Sequence, residues 1–157
     1  MAAQLDELDR KILFCVQQDC SISSDNLGEK VGLSGSAAQR RLKALHKSGV
    51  ITADVALVDA NATGYSLTIV AMIEIDRESA AERDKLKRWC REQVQVQQAY
   101  FTTGSTDLIL IVLARSIPDY DRLMGSLQEE NPNVRRVMTN VTIEAFKSGL
   151  AVPVMDD

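Results

Sequence analysis

The stretch Ser34–Ser48 reads SGSAAQRRLKALHKS, and at 3.6 residues per turn it separates into two faces. Ser36, Arg40, Lys43 and Lys47 fall on one side and Ala38, Leu42 and Leu45 on the other, the pattern of a helix with one wet, basic face and one dry face. No acidic residue lies between Leu33 and Ala53, although the 157-residue chain carries a formal net charge of −4. The cations of this stretch therefore have no partner nearby in sequence. They form either a solvated face, as most charge runs do, or a surface for the phosphates of a nucleic acid.

The residues before it favour the second reading. Leu27 and Val31 give a short apolar stripe that ends at Gly32, where a tight turn between two crossing helices needs positive φ, and Ser34 follows as an N-cap. Further upstream Leu5, Leu8, Ile12, Cys15 and Val16 form a third stripe, with Asp6, Glu7 and Asp9 placed to favour a helix N-terminus. Three such helices close a small core in helix-turn-helix order. Residues 1–53 hold seven Lys and Arg against six Asp and Glu, while the remainder holds eleven against sixteen, so the basic character is concentrated in the first third.

With 45% hydrophobic and 25% charged residues, the chain reads as an ordinary soluble protein of one large domain or two small ones. No apolar run approaches the roughly 20 residues of a membrane span. The acidic first residues do not make a signal peptide, so a cytoplasmic protein with no membrane partner is expected. Cys15, Cys20 and Cys90 lack metal-ligand spacing and His46 is the only histidine, so no disulfide framework, metal site or cofactor is expected. Cys15 and Cys90 lie on apolar stripes as small core residues, and Cys20, in a polar turn, is the candidate reactive thiol. No nucleophile sits beside a base and no glycine loop fits a phosphate, which argues against an enzyme.

Past Ile51 the period changes. Ala53, Val55, Leu57 and Asp59 alternate as a hinge strand, and Asn61–Gly64 is a turn. Leu67–Ile75 alternates cleanly as a half-buried strand that sends Val70 and Met72 outward. Ser79–Gln93 returns to helical spacing around Leu86, Trp89 and Cys90, and Val94–Thr102 is extended. Leu108–Ala114 is a continuous apolar strand of the kind buried on both sides. Ser116 opens a helix burying Ile117, Tyr120, Leu123, Met124 and Leu127, which Asn131, Pro132 and Asn133 stop. A last strand runs from Val134 to Ile143. The order after the hinge is βαββαβ, a ferredoxin-like arrangement whose two helices cover one sheet face and leave the other for a partner. Single-stranded RNA is a poor candidate for that partner, because the two central strands offer no aromatic residue for stacking. In the loop before the third strand, Gly104 reads as an ordinary turn glycine and Asp107 as a side chain capping its own loop. Backbone N–H groups around the glycine also suit a carboxylate, and Asp107 an ammonium.

The chain resembles the Lrp/AsnC family of regulators over nearly its full length. Leu8, Asp9, Ile12 and Leu13 resemble the family's opening helix, and Val31-Gly32-Leu33-Ser34 its turn. Arg41, Leu42, Leu45, Gly49, Val50 and Ile51 follow its recognition-helix pattern, Gly104 and Asp107 its Gly-x-x-Asp loop, and Glu144–Lys147 the end of its last strand. The resemblance implies an α+β protein: a helix-turn-helix over residues 1–52, a hinge strand and linker over 53–65, and a ferredoxin-like effector-binding and oligomerisation domain over 66–157.

It further implies a transcriptional regulator that binds double-stranded DNA in a sequence-specific way and responds to a small amino acid. Homodimers formed through the sheets would assemble into tetramers or octamers and present recognition helices to successive major grooves, about 34 Å apart. An architectural DNA-organising protein without amino-acid response is the alternative. The expected DNA-facing residues are Ser34, Ser36, Gln39, Arg40, Arg41, Lys43 and Lys47. The expected effector site comprises Gly104, Ser105, Thr106 and Asp107, with Thr139 and Val141 as a neighbouring wall. Gly35 and Ala37 replace prolines frequent in the family, which predicts a looser start to the recognition helix. Gln39 replaces an apolar residue and brings an amide suited to adenine N6 and N7. Ser105 and Thr106 replace acidic or aromatic residues, so effector identity does not carry over.

Overall fold

Asp6 starts the first helix by a reciprocal cap: its carboxylate accepts from Asp9 N–H at 2.8 Å, and the Asp9 carboxylate accepts from Asp6 N–H at 3.3 Å. This fixes α1 (Glu7–Gln18). Ser23 caps α2 (Ser24–Val31), and Gly32 ends it in the left-handed region at φ 74°. Ser34 then caps α3 (Gly35–Lys47), accepting from Ala37 N–H at 3.3 Å. Ile12, Leu13, Leu27, Val31, Ala38 and Leu45 are buried where the three helices meet. The sequence-predicted stripes supply all of this core except Leu13. The computed structural model describes residues 5–76 and 79–155.

The remaining elements are β1 (Leu67–Ile75), α4 (Ala80–Glu92), β2 (Val96–Phe101), β3 (Leu108–Ala114), α5 (Ile117–Glu130) and β4 (Val134–Val141). Their sheet runs β2-β3-β1-β4 with every neighbouring pair antiparallel. This is the expected βαββαβ order and ferredoxin-like class. Ser79 closes a second reciprocal cap with Glu82 at α4, and Ser116 caps α5 with Pro118 in its first turn. Ile69, Ala71 and Ile73 of β1 and Leu108, Leu110, Val112 and Ala114 of β3 face the two helices, where Leu86, Trp89, Tyr120, Leu123, Met124 and Leu127 complete the core. Burial pushes the Cys90 thiol up to about 11, which makes it an inert packing residue.

The last strand, expected to run to Ile143, ends at Val141 and leaves Ile143 exposed, and other details differ from the sequence reading. First, β3 is buried at alternate positions only; Ile109, Ile111 and Leu113 are half-buried beside Val70 and Met72, because both helices pack on the opposite face. Second, Ile117 at the first position of α5 is 52% exposed. Third, Ala53–Asp59 forms no strand among the described residues, since an isolated segment has no ladder to join; Val55, Leu57 and Val58 are exposed. Fourth, the chain divides into Met1–Leu57 with Lys147–Asp157, and Val58–Phe146. The C-terminal segment was expected in the second unit, but it joins the first. Gln17 both donates to Val152 C=O (3.1 Å) and accepts from its N–H (2.6 Å), Arg10 donates to Val154 C=O (3.1 Å), and the Val154 side chain packs on the three-helix core.

Candidate nucleic-acid interface and ligand loop

Helix α3 turns Ala38 and Leu45 inward, which leaves Ser36, Arg40, Lys43 and Lys47 exposed on its other side. Arg40, Lys43 and Lys47 make no ion pair with any described residue. Ser34 serves as the N-cap and shares a 3.2 Å contact with the Ser36 hydroxyl. Arg41 differs from the other cations. Its guanidinium donates to Asp6 at 2.7 Å and Asp9 at 2.8 Å, so acidic partners distant in sequence neutralise it. Those two bonds raise the arginine's pKa, and the Asp6 carboxyl is lowered, first by the Asp9 N–H and then by Arg41. Arg41 was expected on the DNA face; its charge instead ties α3 to the start of α1.

The start of α3 is tight rather than loose. A Cβ on Gly35 would come within 2.1 Å of Asp25 Oδ1, so the space a proline ring would take is filled by that carboxylate. Gln39 is half-buried and accepts from the Ser24 hydroxyl at 2.6 Å. His46 closes the other end of the helix, with Nδ1 2.9 Å from Leu42 C=O and Nε2 2.9 Å from Asp54. The carbonyl and then the carboxylate raise the imidazole pKa. The ring is exposed yet engaged at both nitrogens.

In the second unit the loop between β2 and β3 is closed by Thr102 N–H on Asp107 C=O (2.8 Å) and the Thr102 hydroxyl on Thr106 C=O (2.5 Å). Gly104 takes φ 119°, a backbone state that L side chains rarely adopt. Ser105 is exposed, whereas Thr106 is only 5% exposed and its hydroxyl is buried without a partner among the described residues. Asp107 Oδ2 accepts from Ile75 N–H at 2.7 Å, and Asp107 N–H donates to Ile73 C=O at 3.0 Å. The side chain therefore caps the end of β1 rather than its own loop, while Oδ1 has no partner among the described residues.

Thr139 and Val141 are not brought to this loop within one chain. They pair with Ala71 and Ile69, two and four residues along β1 from Ile73, on the strand across β1 from β3. The Thr139 hydroxyl is 2.8 Å from the Tyr120 hydroxyl, which it engages on the helix side of the sheet. Among the described residues no helix is long and apolar enough to cross a membrane.

Residues 5–52 match the family described as winged helix-turn-helix DNA-binding, and residues 68–152 match the Lrp/AsnC ligand binding domain. An HTH-type transcriptional regulator of Sinorhizobium fredii is 37% identical over 153 residues, spanning 98% of this chain and 90% of that one. A leucine-responsive regulatory protein of Rhizobium meliloti is 29% identical over 96% of this chain and 97% of its own. Among solved structures, an AsnC family transcriptional regulator from Agrobacterium tumefaciens superposes with TM-score 0.90 at 28% identity, covering 96% of this chain and 97% of that one. The proteins in these families act as transcriptional regulators and not as enzymes.

Proposed function

The chain belongs to the Lrp/AsnC family, as a transcriptional regulator with a DNA-binding helix-turn-helix and a ligand-binding domain, and from that premise we propose that it binds specific duplex sequences through α3 under the control of a small amino acid. The observation that carries this reading is the basic face of Arg40, Lys43 and Lys47, exposed and without counter-charge among the described residues. Phosphates supply that counter-charge, and the release of their condensed cations makes binding steeply salt-dependent. Ser34, Ser36 and Gln39 occupy the N-terminal half of the helix, the part that meets base edges in a helix-turn-helix complex.

The effector half of the reading rests on the loop Gly104–Asp107. The orphaned Thr106 hydroxyl and the open Asp107 Oδ1 suit a ligand that carries both an acceptor and an ammonium. The leucine-responsive relative supports an amino acid as that ligand. Homodimers pair through the uncovered sheet face of Val70, Met72, Ile109, Ile111 and Leu113, and assemble further to tetramers or octamers. The bond from Ile75 to Asp107 favours a second reading, an architectural DNA-organising protein without effector, because it gives the carboxylate a structural role.

Duplex selection from a random library followed by a thermal-shift screen of the amino acids tests both halves. Enrichment of a defined operator establishes specific binding. An amino acid at about a hundred times its Kd adds roughly 2.7 kcal/mol to stability. No enriched operator refutes the DNA reading, and an operator without any amino-acid hit leaves the architectural one.

A further inference from the structure

Gln39 lies in the half of α3 that the proposal above gives to base reading, and in the structure its amide is engaged on one side. The hydroxyl of Ser24, first residue of α2, donates to Oε1 at 2.6 Å, and Nε2 has no acceptor among the described residues. The two helices hold this pair through their backbones. A Cβ on Gly28 of α2 would stand 2.7 Å from Leu33 C=O and 2.9 Å from Gly35 N, so the helices meet where no side chain fits between them. Ser24, one turn before Gly28, is held against α3 by that approach.

Bidentate reading of adenine asks one amide for an acceptor toward N6–H₂ and a donor toward N7. With its C=O drawn toward α2, Gln39 presents the other arm of a planar amide, which only donates. Guanine offers two acceptors in the major groove, O6 and N7; cytosine offers a donor and adenine one of each. We infer that Ser24 is a positioning residue for DNA reading, holding Gln39 as a donor-only group that selects guanine where the unrestrained amide would take adenine. The inference rests on the DNA-binding reading above and names the specificity of that same face.

The test is duplex selection with full-length wild type, Ser24→Ala, Ser24→Thr, Gln39→Ala and Gln39→Glu. Ser23, not Ser24, caps α2, so Ser24→Ala leaves the cap in place. The position read by Gln39 is the one whose preference Gln39→Ala erases. Wild type prefers guanine there, Ser24→Ala lowers the guanine-to-adenine ratio roughly 5- to 100-fold at that position alone, and Ser24→Thr restores it. Gln39→Glu leaves α2 untouched and replaces the donor by acceptors, which turns the preference to cytosine. A wild-type preference for adenine, or an unchanged ratio in folded Ser24→Ala, overturns the proposal while the DNA-binding reading stands; with a Ser24→Ala that does not fold, a Gln39→Glu that keeps guanine overturns it. A wild type that enriches no sequence overturns both.

Discussion

Arg41 and Asp9 lie 2.8 Å apart, with a side chain of the recognition helix reaching back to the reciprocal cap of α1. The Asp9 side chain is only 18% exposed, and its carboxylate also accepts from Asp6 N–H. One arginine thus joins the start of α1 to the middle of α3, and its charge is spent inside the unit. Arg40 and Lys43, the nearest cations before and after it, have no such bond among the described residues. Arg40→Ala and Lys43→Ala are expected to weaken binding to all duplexes and each to reduce the salt slope by about one. Arg41→Ala is expected to lower the melting temperature and leave the slope unchanged. Anisotropy titrations at several salt concentrations, with melting curves, separate the two outcomes.

Arg41 also shows where sequence reading stops. Helical stripes, caps and the switch to alternation made the three helices and the βαββαβ order legible, because those patterns are local and periodic. The partners of Arg41 are 32 and 35 residues away, and nothing in the local charge pattern points to them. The docking of Val152 and Val154 on α1 spans 135 and 144 residues, again beyond any periodic signal. Val55 and Leu57 alternate as a strand does, yet a strand requires a partner that the described chain does not supply. At the loop, Gly104 and Asp107 were legible as a motif. The bond from Ile75 N–H was not, since it depends on β1 and β3 lying side by side.

His46 is the only histidine, so its titration is a single resolvable signal. Leu42 C=O and Asp54 favour the doubly protonated ring, whose two N–H groups serve both acceptors, and the folded pKa lies above the ordinary 6.5. A raised folded pKa contributes stability that is complete below 6.5 and is lost as pH rises through the folded value. Proton NMR is expected to give a midpoint above 6.5 that Asp54→Asn moves down part of the way, the carbonyl contact remaining. His46→Gln is expected to flatten the melting temperature across that pH window. A wild-type midpoint at or below 6.5 contradicts the contact.

Val70 faces Ile111 and Met72 faces Ile109 in the β1–β3 register, on the side that no helix of the unit covers. A two-fold pairing of this face buries it against its own copy. The segment 58–146 is therefore expected to dimerise without the DNA-binding unit. Ile111→Glu, which leaves the inward residues Leu110 and Val112 in place, is expected to give a folded monomer because it places a charge in that apolar contact. Light scattering at micromolar concentration decides, and a monomeric wild-type segment rules out the sheet face as the dimer contact.

Asp107 has two roles that substitutions can separate. Its Oδ2 accepts from Ile75 N–H at 2.7 Å, and its Oδ1, which has no partner among the described residues, is the proposed partner of a ligand's ammonium. Asp107→Ala removes both and is expected to cost about 1–3 kcal/mol of stability through the unsatisfied N–H, so a lost effector response in that variant does not locate the site. Asp107→Asn keeps an amide oxygen that can accept from Ile75 and removes only the charge. The expected result is a near wild-type melting temperature, unchanged DNA affinity without ligand, and amino-acid affinity lowered at least tenfold by loss of the charge-assisted bond. Calorimetric titration of both variants with the amino acid found in the thermal screen is the measurement. Equal affinity in wild type and Asp107→Asn would leave Asp107 a purely structural cap and move the ammonium site elsewhere.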